Sequence, residues 1–581
     1  MNAIRIRSFV AVFGLSDEPQ RPWLPALPPG DTLAEWMLVE RGPLRLWFRP
    51  REPAAHRHLP SVERTAAWLL GDEGECRSSG AAMSLVNAAT VSFDAARRRL
   101  TLSTSIIGLP PVFVHADRRR AILASDLYLI AGVPDVRLEF DPAAVVEFAR
   151  IGHPTFERTL YKRTRLLPAG SRVVVDPESG LTTERAWRPP DPESVTWEQF
   201  VDRQIAAFTD AIRRIDLSKS FLSLTAGLDT RTIFMTLADQ RRLVPAATMS
   251  GVRPSLDARI AAALCREYGV PHTIVEIGER FRRQLPDYLY RASRLSGGLA
   301  SIRQAPEVHF YDQLAGRFAA RLSGNLGNQV GRGGTEGIST RDAGLSLLSP
   351  ELRKATGFHP RHWLLDDLSL HGRRFERLLQ HGVTPAAVGN YTIGNHFAIQ
   401  QSPYADRALV ETLALRPPGG LRPSASPISM RLRDVRHRFL GEPRSTSFQR
   451  SLLNRLGGRA ATWPINFGWR ARGGVSPAHV VRGVAALADM LAEKRHVDRS
   501  TRWIHGALEA FARDITGSRA VRESGVFDPR IMDRVVDEHF SRRRDHYESV
   551  TLALDLALAH EQFCAAPRAV IGQRYSCDRI A

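Results

Sequence analysis

Residues 221–236, Phe-Leu-Ser-Leu-Thr-Ala-Gly-Leu-Asp-Thr-Arg-Thr-Ile-Phe-Met-Thr, carry the reading that decides the fold. An apolar run from Phe221 to Leu224 meets a turn of small residues, and an apolar helical pattern begins beyond it. The order is strand, tight turn, helix N-terminus. The first amides of a helix have no partner within it, and with the helix dipole they attract phosphate. Leu224, Thr225, Ala226, Gly227, Leu228, Asp229 and Thr230 are therefore candidates to close around an anion. Small residues let the backbone approach it, the threonine hydroxyls donate to its oxygens, and Asp229 can hold a metal counterion. No lysine follows the glycine, so the loop is not of the Walker type. Taken alone, an ordinary strand–turn–helix without a ligand fits the same residues equally well.

A chain of 581 residues is too long for one core, so two or more domains are expected. Hydrophobic content of 43% and charged content of 24% are those of a folded globular protein. No window holds the roughly 20 consecutive apolar residues a bilayer crossing needs, so no membrane partner is expected. The opening Met-Asn-Ala-Ile-Arg-Ile-Arg-Ser-Phe-Val alternates and is too polar for a signal peptide; it reads as a first strand. Cys76, Cys265, Cys564 and Cys577 are too scattered for a metal cluster or a disulfide framework. Together these features point to a soluble, cytoplasmic protein.

The net charge of +19 raises the question of a nucleic-acid partner. Lysine occurs only at 162, 219, 354 and 494, so nearly all the positive charge is arginine, as GC-rich codons would produce. The triplets Arg97–Arg99 and Arg118–Arg120 fall between alternating apolar stretches, where hairpin tips belong. They read as solvated turns, and no nucleic acid is expected.

Residues 1–190 read as β-rich, with strands at 5–13, 36–40, 44–48, 85–93, 99–106, 111–115 and 121–125, a helix at Pro142–Ile151 and a strand at Ser171–Val175. Arg188-Pro189-Pro190-Asp191-Pro192 marks a linker. From 195 to 581 helices alternate with short apolar strands, the pattern of a parallel α/β sheet. Helices at 196–215, 229–240, 256–268 and 306–317 are interleaved with strands at 221–224, Val244–Ser250, His272–Glu276 and Ala320–Ser323. Beyond about 360 the pattern is mostly helical, with 415–480 undecided. The stripes at Leu487, Met490 and Leu491 read as core or as the face of a homodimer.

In open parallel sheets ligands bind outside the carboxyl ends of the strands. Three strand ends carry suitable residues: the 225–230 loop; Thr248-Met249-Ser250-Gly251, where Met249 would line an adenine slot; and the glycine-rich turn from Leu322 to Gly334. In order and spacing the three resemble the synthetase domain of the asparagine synthetase family, which includes β-lactam synthetases and lasso-peptide macrolactam synthetases. The family's first loop is Ser-Gly-Gly-Leu-Asp-Ser, with Thr225 and Ala226 replacing its first two residues. In the third loop Ser323 and Gly324 match, Asn325 stands at the family's glutamate, and Asn328 stands at its second metal-binding aspartate. Gln401-Ser402-Pro403-Tyr404-Ala405-Asp406 resembles an Arg-x-Pro-Phe-Leu-Asp segment, with Gln401 in the place of arginine. Arg472 stands at the position of the catalytic lysine, and no lysine lies between Lys354 and Lys494 to take that role.

The first 190 residues resemble the same family's glutaminase domain, an N-terminal-nucleophile α-β-β-α sandwich. The resemblance rests on Gly108–Val114, Leu123-Ala124-Ser125-Asp126 and Arg158-Thr159-Leu160 through Leu166–Gly170. Active members expose a cysteine directly after the initiator methionine. Asn2 stands there, so glutamine hydrolysis is not expected.

The resemblance implies ATP and Mg²⁺ as cofactors, and a small-molecule or peptide carboxylate that attacks ATP to give an acyl-adenylate and pyrophosphate. An amine from a source other than glutamine then displaces AMP. Asp229 and Asn328 would be the metal ligands, Asp229 and Arg472 the catalytic pair, and Asn325 and Tyr404 substrate contacts. Two other readings stand beside it. One is a degenerate scaffold that has lost thiol, metal carboxylate and lysine. The other is a nucleic-acid-modifying pyrophosphatase, which wants a reactive cysteine pair; Cys265, on the apolar face of its helix, reads instead as core.

Overall fold

The computed structural model describes residues 4–15, 35–50, 65–72, 87–155, 157–327, 330, 342–355, 384–416, 447–463, 481 and 508–565. Alternation builds the first sheet. In β1 (Ile4–Gly14), Phe9, Ala11 and Phe13 enter one buried cluster, while Val10 and Val12 enter another. A strand buried on both faces must be covered on both.

Ten more strands join it: β2 (Met37–Arg41), β3 (Leu44–Pro50), β4 (Thr65–Asp72), β5 (Asn87–Asp94), β6 (Arg99–Ser103), β7 (Phe113–Ala116), β8 (Arg120–Ala124), β9 (Thr164–Leu166), β10 (Ser171–Asp176) and β11 (Gly180–Arg185). The order is β11-β10-β6-β5-β4-β1-β8-β7-β9, with β3 added to β1 and β2 to β3. The β1–β4 pairing, over Ile4–Ile6 and Trp68–Leu70, is parallel, whereas β1 meets β3 and β8 antiparallel. Both arginine triplets fall at hairpins, as read: Arg97 N donates to Asp94 Oδ1 between β5 and β6, and Arg119 and Arg120 N donate to Asp117 Oδ1 between β7 and β8. Among the described residues this part carries α1 (Leu127–Ala131) and α2 (Pro142–Ile151).

β12 (Glu193–Ser194) follows the proline run and pairs with β18 (Leu415–Arg416). A capping box then starts α3 (Trp197–Arg214): Gln199 N donates to Thr196 Oγ1 at 3.1 Å and Thr196 N to Gln199 Oε1 at 2.9 Å. Next come β13 (Ser220–Ser223), α4 (Leu228–Asp239), β14 (Ala246–Gly251), α5 (Leu256–Glu267), β15 (His272–Ile277), α6 (Glu279–Arg283), α7 (Leu285–Ser296), α8 (Ala305–Leu314), β16 (Ala320–Leu322) and β17 (Ile399–Gln401). The five strands form a parallel sheet in the order β15-β14-β13-β16-β17. The chain runs outward from β13 to β15, then crosses back and continues on the other side of β13. The reversal lies between β13 and β16, and it leaves a crevice outside their carboxyl ends.

The chain is thus mixed α/β, with a mostly antiparallel sheet, a parallel sheet and many helices. One cluster of buried side chains runs from Val10 and Val12 through Tyr161, Phe208 and Leu222 to Phe563, so the parts before and after residue 190 share a core. Among the described residues, no helix is long and apolar enough to cross a membrane.

Candidate active site at the sheet reversal

Two loops meet at the reversal. After β13 the chain turns through 224–227, and Gly227 begins α4 without offering a side-chain cap to the helix amides. Thr225 and Thr230 brace the turn: their hydroxyls lie 3.0 Å apart, Thr225 N donates to Thr230 Oγ1 at 3.1 Å, and Gly227 N donates to Thr225 Oγ1 at 3.1 Å. After β16 the second loop, Ser323–Gly327, lies directly against Asp229. A Cβ on Gly327 would sit 2.6 Å from Asp229 Cγ, and one on Gly324 would sit 2.8 Å from Asp229 Cβ. Glycine at both positions is what allows that approach.

The threonine hydroxyls and the amide of Ala226, which the sequence offers to an anion, are engaged within the protein. Ala226 N donates to Asp257 Oδ1 at 2.7 Å, so the first turn of α5 supplies its own carboxylate there. Asp229 is half-buried. Its Oδ1 accepts from Gln449 Nε2, and its backbone carbonyl accepts from Tyr404 Oη at 3.1 Å. Gln449 Nε2 also donates to Tyr404 Oη at 3.2 Å. Gln449 is wholly buried, and its Oε1 faces no hydrogen-bond partner among the described residues.

Arg231, inside the apolar helix, is fully buried as well. Its guanidinium donates to the carbonyls of Ala226 at 2.6 Å, Ala460 at 3.0 Å and Trp463 at 2.7 Å, tying the loop to the 459–463 segment. Burial pulls its pKa down to about 10, which leaves it cationic at neutral pH.

The remaining expected residues divide. Leu224, Ala226 and Leu228 are buried beneath the loop, Ser323 lies at the end of β16, and Asn325 is exposed at the mouth of the crevice. One of the expected contacts needs correction. Tyr404 does not meet the expectation of a substrate contact: its ring is fully buried, 5.0 Å from that of Phe208 and 6.3 Å from that of Phe448, so it supports Asp229 from inside the core. Met249, expected to line an adenine slot, is half-buried and packs on the cluster of Phe221, Ala247, Val275, Phe310 and Leu314. Gln401 is buried within β17 and holds Ser220 Oγ and Asp216 O. Arg472, Asn328, Leu487, Met490 and Leu491 lie outside the described residues.

Sequence reasoning misses Asp257, Gln449 and Arg231. Asp257 lies in the first turn of α5, where an acidic residue is ordinary. An arginine in the first turn of an otherwise apolar helix is a usable signal. Gln449 belongs to the stretch whose pattern is undecided, and nothing in its neighbours marks it.

Asp229 is the residue of this arrangement whose side chain could hold a divalent cation. Magnesium commonly takes one or two carboxylates and completes its shell with phosphate and water oxygens. Asp229 is a carboxylate at a helix N-terminus without a side-chain cap, and its Oδ1 already accepts from the amide nitrogen of Gln449. Among the described residues no three His, Cys, Asp or Glu side chains converge into a metal site, at the reversal or elsewhere. Cys265 is buried, and burial pushes its thiol up to about 11, which makes it core rather than a reactive sulfur.

No protein-family model and no curated protein matches this sequence. Among solved structures, the glutamine phosphoribosylpyrophosphate (PRPP) amidotransferase from B. subtilis, complexed with ADP and GMP, is similar with a TM-score of 0.17 and 8% identity. The match covers 40% of this chain and 51% of that one, so the chain spans about half the length of its match. A likeness of that size decides neither fold nor activity.

Proposed function

We propose that the chain is an ATP-dependent ligase that adenylates a carboxylate, releasing pyrophosphate, and joins it to an amine supplied by a donor other than glutamine. The observation that carries this reading is the convergence of two loops on Asp229 at the sheet reversal, beside a helix N-terminus with no side-chain cap. Within it, residues 195–581 form the synthetase part, of the asparagine synthetase type. Residues 1–190 form a glutaminase-like α-β-β-α part without its nucleophile, and the protein works in the cytoplasm.

The first-turn amides of α4 orient the departing diphosphate, since they are fixed before the ligand arrives. Asp229 holds a divalent cation, which offsets the charge of the diphosphate. Asn325 borders the mouth of the crevice where the acid and amine enter. Arg472, at the position of a lysine in the resembling family, contributes charge but no proton at neutral pH.

A pyrophosphate-release assay over candidate acids and amines tests the reading. Wild type is expected to release pyrophosphate, and Asp229→Ala to fall by at least about 100-fold. Equal rates from the two proteins overturn the assignment.

A second reading, a scaffold that has lost catalysis, is favoured by the engagement of Ala226 N by Asp257 and of Asp229 by Gln449. Calorimetry with Mg·ATP separates the two. Heat of binding that disappears in Asp229→Ala supports the ligase; no heat from wild type supports the scaffold.

A further inference from the structure

Arg231 stands where a cation is disfavoured twice over. It is fully buried, and it lies in the first turn of α4, whose dipole repels positive charge. Leu228, Ile233 and Phe234 of the same helix are buried and apolar, so a position that needed only filling would be filled better by a neutral side chain. The guanidinium instead holds the backbone carbonyls of Ala226, Ala460 and Trp463.

The bond to Ala226 bears on the crevice. The peptide is trans, so its carbonyl and the N–H that follows point opposite ways. A guanidinium on the Ala226 carbonyl thus sets the direction of the Gly227 N–H, which meets Thr225 Oγ1 at 3.1 Å. The preceding peptide is set independently, by Asp257 Oδ1 on Ala226 N at 2.7 Å. Both peptide planes of Ala226 are therefore gripped by charged side chains, and hydrogen bonds to charged groups are the strong ones. Gly227, which brings no side chain to anchor the turn and is conformationally permissive, is the residue that most needs such a grip.

We propose that Arg231 is a positioning residue of the anion site: through the Ala226 carbonyl it holds the turn in the shape that receives a diphosphate, and it moors that turn to residues 459–463. The inference rests on the diphosphate site of the reading above and names the residue that keeps it formed. Arg231 acts through the backbone and does not touch the anion. A turn ordered in advance spends none of the binding free energy on ordering. The planar fork reaches carbonyls in two segments at once, which the single ammonium of lysine does not reproduce.

Calorimetric titration with inorganic pyrophosphate in the presence of magnesium, and hydrogen–deuterium exchange of the peptide spanning 221–235, test this on the full-length chain. Wild type, Arg231→Met and Arg231→Lys are compared with Phe563→Ala, a core variant that loses stability far from the turn, after thermal melts show each is folded. Pyrophosphate affinity reduced about tenfold or more in Arg231→Met and about threefold or more in Arg231→Lys supports the proposal, provided that exchange in this peptide quickens in both and that Phe563→Ala binds as wild type does. Wild-type affinity in Arg231→Met overturns the proposal and leaves the diphosphate site standing. An equal loss of affinity in Phe563→Ala overturns it too, because general destabilisation then accounts for both. If wild type takes up no pyrophosphate, the site and the proposal fall together. Should Arg231→Met fail to fold, Arg231→Lys decides: wild-type affinity there overturns the proposal.

Discussion

Asp229 is placed by atoms from three distant stretches: Tyr404 beneath its carbonyl, Gln449 on its carboxylate, and the backbones of Gly324 and Gly327 against its side chain. Gly327→Ala puts a methyl 2.6 Å from Asp229 Cγ, and the carboxylate must move. Displacements of that size at a reacting centre cost on the order of 100-fold in rate, while overpacking costs about 1–3 kcal/mol of stability. The expected result is a folded protein, somewhat less stable in urea, whose pyrophosphate release is nearly lost; release at the wild-type rate would show that the second loop does not position Asp229. At this scale the first loop is legible, because small residues between an apolar strand and a helix have a direct physical meaning. Asp257 and Gln449 are not. Each acts on a residue far off in the chain, 31 positions away for one and 220 for the other, and no local pattern records such a partnership.

The helix Ser447–Leu456 brings Gln449 to the site, and Phe448 seats it. Phe448 is fully buried, with its ring 5.6 Å from that of Phe208 on α3 and 6.3 Å from that of Tyr404. Phe448→Ala is expected to cost about 3–5 kcal/mol through the cavity it leaves. Urea denaturation reads that loss, and a change under about 1 kcal/mol would mean that the helix is not anchored there. Elements with a clean period are visible in advance: α2, α3, α4, α5 and the strands β13 to β16 all lie within a few residues of their expected bounds. Several strands are not. β4 reads Thr-Ala-Ala-Trp-Leu-Leu-Gly-Asp, with no alternation. β11 is an edge strand rich in Thr and Glu, mostly exposed, so it lacks an apolar face. β17 is Ile-Gln-Gln with all three residues buried, and two glutamines satisfied by tertiary hydrogen bonds give no apolar run to detect.

Across the whole molecule, burial holds the imidazoles of His115, His153, His272, His309, His396 and His560 below their usual pKa, that of His396 at about 3. The folded state therefore binds fewer protons than the unfolded chain below about pH 6.5, and stability falls as pH falls through that range. Burial raises the carboxyl pKa of Glu147, Glu157 and Asp287, which opposes the trend, but these are fewer. Melting temperature is expected to be lower at about pH 5.5 than at about pH 7.5; an equal or higher value at the lower pH would show that these histidines are solvated. The α/β class and the change of character near residue 190 are readable from patterning. The common core of the two parts is not, since apolar faces do not announce which surface they meet.

One late segment does most to close that core. The helix Tyr547–Phe563 is buried over nearly its full length, sets Phe563 at a tilt against Tyr161 and His560 edge-on against Phe140, and accepts the amide of Ile302 on Asp555. During synthesis, the stretches around Phe140, Tyr161 and Ile302 emerge hundreds of residues before their shared neighbour. A nascent chain must therefore keep that greasy seam from sticking to other proteins until residues 547–563 have followed.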